Sequence, residues 1–281
     1  MTKSTSSSGR PAPIRGRLSL YLLLLLLVGA VMYMLRECSM AERGSARNRP
    51  AGGDTLNVAI EYSPMSLYRY ADTLGGFNYD VMRAVAAEAG MDVKFHPLNT
   101  VARALEGLKE GRYDVVVADV ANTVEMQSRV RFTEPTFLDR QVLVQLRDSI
   151  SGKPRITSQL QLAGDSVWIP DDATVSERIE ALSREIGDSI HAVVTPDYGA
   201  EQLVMLTATG QVPRAVVNEA VARRLAVRYP QVDTSVGISF SQFQSWMVAP
   251  SNTALADTLD AALRRFKSTP AYRTLLRRYT R

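Results

Sequence analysis

Four short stretches place hydrogen-bonding side chains where an apolar run stops: Glu61–Ser63, Asp119–Thr123, Pro170–Thr174 and Asn218–Glu219. Together they offer carboxylates, hydroxyls, amides and a phenol, which is the chemistry of holding a polar ligand. Asp119 can accept hydrogen bonds or meet a ligand cation. Thr123 can donate or accept, or it can cap a helix; the two roles are compatible. Asn218 can bridge an amide or a sugar hydroxyl, or serve as a turn residue. Catalytic chemistry has less support. The single cysteine, Cys38, allows no intrachain disulfide, and His96 and His191 are far apart, so neither a zinc site nor a Ser/Cys-His centre is expected. The expectation is a protein that is not an enzyme, with no catalytic residues, metal or cofactor.

Those stretches need strands and helices to position them, and the pattern supplies both. From Leu56 the chain alternates β-rich runs with helical periodicity: LNVAIEY, then GGFNYDVMRAVAAEAG with Val81, Val85 and Ala89 at helical spacing, then the strand ending in FHPL. Helix, Gly111 and the apolar run Asp114–Val120 follow, and DRQVLVQL alternates polar residues against Val142 and Val144. A second series begins after the Ser/Gly/Lys/Pro-rich stretch 149–158, with strands DSVWIP, IHAVVTP, RAVVN and FQSWMVA and helices between them. Residues 253–279 read as helical with a break at Pro270. Such βαβ alternation predicts an α/β fold with mostly parallel sheets, in two lobes with a cleft between them. Ligands in open α/β sheets sit beyond the carboxyl ends of the strands, where the four stretches fall. Trp168 and Trp246 read as core residues.

The first 53 residues have a different character. Leu18–Leu35 carries no charge, and as a helix would span ~27 Å, near the ~30 Å of a bilayer's hydrocarbon. Lys3, Arg10, Arg15 and Arg17 precede it, which predicts a cytoplasmic tail over 1–17, an inner-membrane single-pass anchor over 18–35, and export of the body to the periplasm. A cleaved signal peptide is the alternative, although its small-x-small site at Gly44–Ala46 is remote. Arg36 and Glu37 before Cys38 argue against lipidation. Residues 36–53 read as a flexible tether of roughly 23 Å root-mean-square reach. Residues 1–49 hold eight Lys/Arg and two Asp/Glu, a net of +6; the remainder holds 25 basic and 27 acidic residues, a net of −2. The formal charge of +4 therefore belongs to the tail, and no nucleic-acid partner is expected.

The segments GGFNYDVMRAVAAEAG, LEGLKEGRYDVVVADVANTVEMQSRVRFTEPTF, LAGDSVWIPDDATVSERIEAL and EQLVMLTATGQVPRAVVNEAVARRLAVRYP, with FSQFQSWMVAPSNTALADTLDAALRRF, occur in one order over about 56–280. In that order they resemble the bacterial periplasmic solute-binding family of the polar amino-acid type (family 3), and are most similar to the binding modules of membrane-bound lytic transglycosylases of type F. The resemblance implies a two-lobed periplasmic-binding-protein fold (type II) over 54–281. Lobe one would comprise 54–143 and 244–281, lobe two 147–240, with a hinge through Gln141–Gln145 and Ser241–Trp246. Tyr62 matches a family aromatic that stacks on ligand, or is an edge aromatic of the core. Thr174 matches a hydroxyl at a helix start, where free N–H groups favour an anion, or it simply caps that helix. The family's two charges, an arginine for an α-carboxylate and an aspartate for an α-ammonium, fall on Met126 and Asn218, both neutral. Arg129 lies three residues on, either turned inward or on a solvated helix face.

Two functions follow as expectations. One is a membrane-anchored binding protein closing on a small polar ligand (amino-acid-like, a peptide or a muropeptide fragment) for transport through a membrane permease. The other is a ligand-sensing module for a cell-wall enzyme or signalling partner. A lytic enzyme is not expected, because the resemblance to the binding module runs to the last residues of the sequence.

Overall fold

The structure is a computed structural model that describes residues 24–32, 55–147 and 154–280. Residues 24–32 are helical and exposed, and belong to a unit separate from the body. Among the described residues no helix is long and apolar enough to cross a membrane. The rest of the apolar run 18–35 and the tether 36–53 lie outside the described residues.

The body contains two five-stranded sheets. The first has β1 (Leu56–Glu61) flanked by β4 (Val93–Leu98) and β5 (Val115–Val117), both parallel to it; β14 (Met247–Val248) and β6 (Arg131–Phe132) complete it antiparallel. The second has β9 (Ser166–Pro170) between parallel β10 (His191–Thr195) and β11 (Arg214–Asn218), with β8 (Gln141–Leu146) and β12 (Val232–Asp233) antiparallel. Each sheet thus has a parallel centre and an antiparallel edge. In both, Val-rich central strands are buried on both faces, as helices on each side require.

The chain passes between sheets on β7 (Phe137–Asp139) and β13 (Gln242–Gln244), which pair antiparallel. This corrects the sequence expectation for the first crossing. Gln141–Gln145 belong to the second sheet, and the crossing strand ends at Asp139. Polar residues alternate with valines along β8, and both Gln141 and Gln145 are buried. Gln145 is tolerated there because its amide bonds the Ile156 backbone twice, donating to the carbonyl (2.7 Å) and accepting from the N–H (3.0 Å). The run FQSWMVA divides into β13 and β14 at Ser245–Trp246, where the chain leaves the crossing and enters the first sheet.

Helices cover the sheets. α1 (Phe77–Glu88), α2 (Val101–Lys109), the short α3 (Val124–Gln127), α7 (Thr253–Lys267) and α8 (Pro270–Thr280) serve the first lobe. α4 (Ala173–Ile186), α5 (Ala200–Ala208) and α6 (Glu219–Arg228) serve the second. Val81 and Val85 face the core from α1, as their spacing predicts, while Gly90 beyond its end takes φ +67°. A small hairpin, β2 (Tyr68–Tyr70) with β3 (Thr73–Gly75), leads into α1. Between hairpin and helix, Gly76 takes φ +145°, and a Cβ there would lie 2.2 Å from the Ser66 carbonyl oxygen. Its N–H donates to the Tyr279 hydroxyl (3.1 Å), which donates to Asp80 (2.9 Å), so the last helix is tied to the start of α1.

Gly76→Ala is expected to destabilise the protein by roughly 3 kcal/mol, because the conformation is open only to glycine and the Ser66 carbonyl cannot move without losing the Tyr79 N–H it accepts from (3.0 Å). Chemical denaturation of the full chain, compared with Gly75→Ala, checks this; equal small losses at both positions would show that the backbone relaxes.

Candidate functional site

The strand ends of the two sheets meet at a cavity of about 20 Å³ lined by Glu61, Thr100, Asp119, Asp172, Val217 and Asn218, among others. Glu61 ends β1, Asp119 follows β5, and Thr100 precedes α2, all in the first lobe. Asp172 follows β9 and Asn218 ends β11, both in the second. Asn218 closes the gap directly: its Nδ2 donates to the Asp119 carbonyl oxygen at 2.5 Å. Thr123 Oγ1 donates to Glu177 (3.4 Å), and Arg103 pairs with Asp197 (2.8 Å) at the exposed rim. Gly199 completes the seam, since a Cβ there would lie 2.6 Å from the Asn99 carbonyl oxygen.

Asp119 is held by Asn78. This fully buried amide donates from Nδ2 to Asp119 Oδ1 (2.6 Å) and to Ser66 Oγ (2.8 Å), and accepts from Trp246 Nε1 (3.1 Å). Asp172 is held by the start of α4. Its Oδ1 accepts from the Thr174 N–H (2.8 Å) and from the Thr174 hydroxyl (2.9 Å). Asp119 is 4% exposed and Asp172 8%.

Burial dominates the electrostatics. It pushes Glu61 up to about 8, with the Asp119 and Asp172 charges adding and the Asp119 amide opposing. It pushes Asp119 up to about 7, with the Asp139 charge adding and Asn78 and the nearby Ser66 hydroxyl opposing. Asp172 rises to about 6 for the same first reason, with its Thr174 hydrogen bonds opposing, and Asp139 to about 6. Among the described residues no lysine or arginine lines the cavity. The basic residues lie outside it: a groove of about 850 Å³ runs between α2 and the start of α4, with Arg103, Lys109 and Arg129 on its walls and Val101 shared with the cavity.

The structure brings Asp119 and Asn218 together at the cavity and places the other expected residues elsewhere. Thr123 borders the seam and caps α3, accepting from the Met126 N–H (3.3 Å) while its hydroxyl reaches Glu177. Tyr62 is exposed and is not a wall of the cavity. Met126 is 1% exposed, within an apolar cluster that includes Val101, Val120, Val130 and Met247. Its thioether contributes packing, which corrects the expectation that it contacts ligand. Arg129 is exposed on the groove, not in the cavity. Thr174 is corrected too: its hydroxyl and N–H are spent on Asp172, so the helix terminus expected to receive an anion already carries one. Glu61 and Asp172 were missed as site residues. The signal was present in IPDDAT, where an Asp between strand and helix is a natural N-cap, and in the carboxylate that ends β1.

Two sheets joined by a pair of crossing strands, with polar groups from both closing over one cavity, define a two-lobed ligand-binding protein. The chain belongs to the bacterial extracellular solute-binding proteins, family 3, which match residues 55–281. Among its relatives, the membrane-bound lytic murein transglycosylase F of Desulfosudis oleivorans is 26% identical over 79% of this chain and 48% of its own length. That of Aeromonas hydrophila is 25% identical over 75% and 42%. The chain spans about half the length of these curated relatives. Of solved structures, an ancestral arginine-binding protein bound to arginine has a TM-score of 0.70 at 23% identity, covering 82% of this chain and 99% of the other. The GluR0 ligand-binding core complexed with L-glutamate has a TM-score of 0.67 at 16% identity, covering 82% and 100%. At these identities the likeness is one of fold.

Two outcomes follow from the site. The raised carboxyls ionise at roughly 4 in an unfolded chain but hold their protons to about 6 to about 8 when folded. Between those values the folded state carries more protons, so stability falls as pH rises. The contribution of the protonated forms is complete below about pH 4 and is lost as pH climbs through about 6 to about 8. Thermal unfolding of the ligand-free full chain is therefore expected to show Tm falling from pH 5 to pH 8. Glu61→Gln should flatten the upper part of that fall, with each kcal/mol recovered worth roughly 2–4 °C; a Tm that rises over this range would contradict the assignment. Asn78→Ala should cost about 3 kcal/mol, because Asp119, Ser66 and Trp246 each lose a partner in a dry interior. Denaturant unfolding measures it, and a loss below about 1 kcal/mol would show the network to be replaceable.

Proposed function

We propose that the domain is a ligand trap: an extracytoplasmic, membrane-anchored binding protein whose lobes close on a small polar ligand at the cavity between the strand ends. The observation that carries this reading is the Asn218 hydrogen bond to the Asp119 carbonyl, a contact from one lobe to the other at the edge of the cavity. Family membership and the amino-acid complexes among the structural neighbours support it. The anchor rests on the uncharged run Leu18–Leu35 and the basic residues before it. In the transport reading, the closed form is delivered to a membrane permease.

A second reading has its own support. The relatives that align are murein transglycosylases, and the part that aligns is about half of each. In this reading closure signals ligand to a cell-wall enzyme, and the domain senses rather than carries. Cross-linking the full chain in cells separates the two, since capture of a permease supports transport and capture of a murein hydrolase supports sensing.

A thermal-shift screen of the full chain against amino acids, simple amines, sugars and muropeptides tests the shared premise. At least one class should raise Tm and reduce the radius of gyration in solution scattering, and no response from any class would sink the proposal. For a ligand so identified, Asn218→Ala should weaken binding by roughly 5- to 10-fold, the scale of one lost hydrogen bond of about 1 kcal/mol. An unchanged affinity would mean that Asn218 takes no part in closure.

A further inference from the structure

The cavity is charged in one sense only. Glu61, Asp119 and Asp172 line it from both lobes, and no lysine or arginine does. Two of its wall atoms are also unsatisfied. Thr100 Oγ1 (residue 3% exposed) has no hydrogen-bond partner, and Asp119 Oδ2 accepts no hydrogen bond of ordinary geometry. The carboxylate oxygen is an acceptor and the hydroxyl can accept as well as donate, and buried polar atoms without partners are rare in folded proteins. As neutral polar groups a zwitterion's carboxylate would meet only Asn99, Thr100 and Asn218 among the described side chains that line the cavity, and the Asn218 Nδ2 already donates to the Asp119 carbonyl. The terminus of α4, the natural seat for a carboxylate, is filled by Asp172.

We infer that this cavity receives a protonated primary amine whose carbon carries no carboxylate, its ammonium donating to Asp119 Oδ2, Thr100 Oγ1 and the Glu61 carboxylate while Asp172 balances charge from the other lobe. The inference rests on reading the cavity as the ligand site. An ammonium brings three donors and no acceptor, which complements a wall that has acceptors to spare. Its size suits the space as well, because about 20 Å³ accommodates a water-sized group. A metal ion fits less well: among the described residues no three His, Cys, Asp or Glu side chains are placed to hold one. The rest of the ligand would leave past Val101, which the cavity shares with the outer groove. An α-amino acid fails because its carboxylate, two bonds from the ammonium, would be buried beside three carboxylates with no cation at hand.

Calorimetry on the full chain with 1-aminopentane and with norleucine isolates the carboxylate, the one group by which they differ. 1-Aminopentane is expected to bind at least ten times more tightly than norleucine, and Glu61→Gln and Asp172→Asn should each weaken it at least tenfold. Both variants remove a carboxylate from the cavity wall, and asparagine still caps α4, so both should fold. Norleucine binding as well as 1-aminopentane, or better, would overturn the inference. Calcium chloride that displaces 1-aminopentane, or binds where it does not, would replace an amine by a metal. If 1-aminopentane does not bind but an amino acid, sugar or muropeptide does, the inference falls while the ligand-trap reading stands. If nothing binds, both fall.

Discussion

The constraint that organises this protein is the placement of Asp119. Its carboxylate is buried next to two others, which costs free energy in any medium of low polarity. Asn78 makes that placement tolerable. One amide group satisfies an oxygen of Asp119, the Ser66 hydroxyl and the indole of Trp246 at once, and it sits on α1, whose start is fixed by Gly76 and Tyr279. Trp246 in turn stands where the chain leaves the crossing strands for the first sheet. The geometry of the cavity is therefore bound to the geometry of the crossing and of the C-terminal helix. A change at any of these would be felt at the Asp119 carboxylate.

Closure is a contest between modest attractions and one repulsion. Asn218 to Asp119, Thr123 to Glu177 and Arg103 to Asp197 draw the lobes together. The last is exposed and contributes at most about 1 kcal/mol. Against them stand Glu61 and Asp119 on one side and Asp172 on the other, with Asp119 and Asp172 both raising the cost of ionising Glu61. In the proposed trap, protonated carboxyls would let the contacts prevail and favour the closed form. Ionised carboxyls would need a compensating positive charge for closure. A ligand that supplied it would bind the closed form preferentially, which is the differential affinity such a trap requires.

The fold was legible because its signals are strong and redundant. The apolar strands around Val58, Val116, Val167 and Val216 are bounded by helices with clear periodicity, and glycines at 90, 111 and 187 mark their ends. The hinge was harder to place. β8 carries Gln141 and Gln145 in alternation with Val142 and Val144, and the structure buries both, with Gln145 held by the Ile156 backbone. Alternation reports average polarity and is blind to a hydrogen bond made eleven residues away. Asp119 and Asn218 line the cavity at the strand ends that the sequence marks. Met126 was misread because sequence position fixes which turn of a helix a residue occupies, not whether its side chain enters a core.

The missed Asp172 carries the larger lesson. A helix start with free N–H groups attracts an anion, and the sequence placed that start correctly at Ala173–Thr174. Whether the anion comes from the ligand or from the chain depends on one residue. Here Asp172 supplies it, so the same backbone that would hold a ligand's negative charge presents one of its own. With Met126 withdrawn into the core and Asn218 spent on the Asp119 carbonyl, neither member of the charge pair expected from the family's pattern is available. The substitutions are concordant: each removes a favourable seat for a zwitterion's carboxylate or leaves negative charge uncompensated. A cleft that had merely lost its ligand would have no reason to keep Asp119 and Asp172 out of water beside a half-buried Glu61, since leucines of like size would stabilise closure better. The buried charge is what such a cleft retains when the missing partner is a cation.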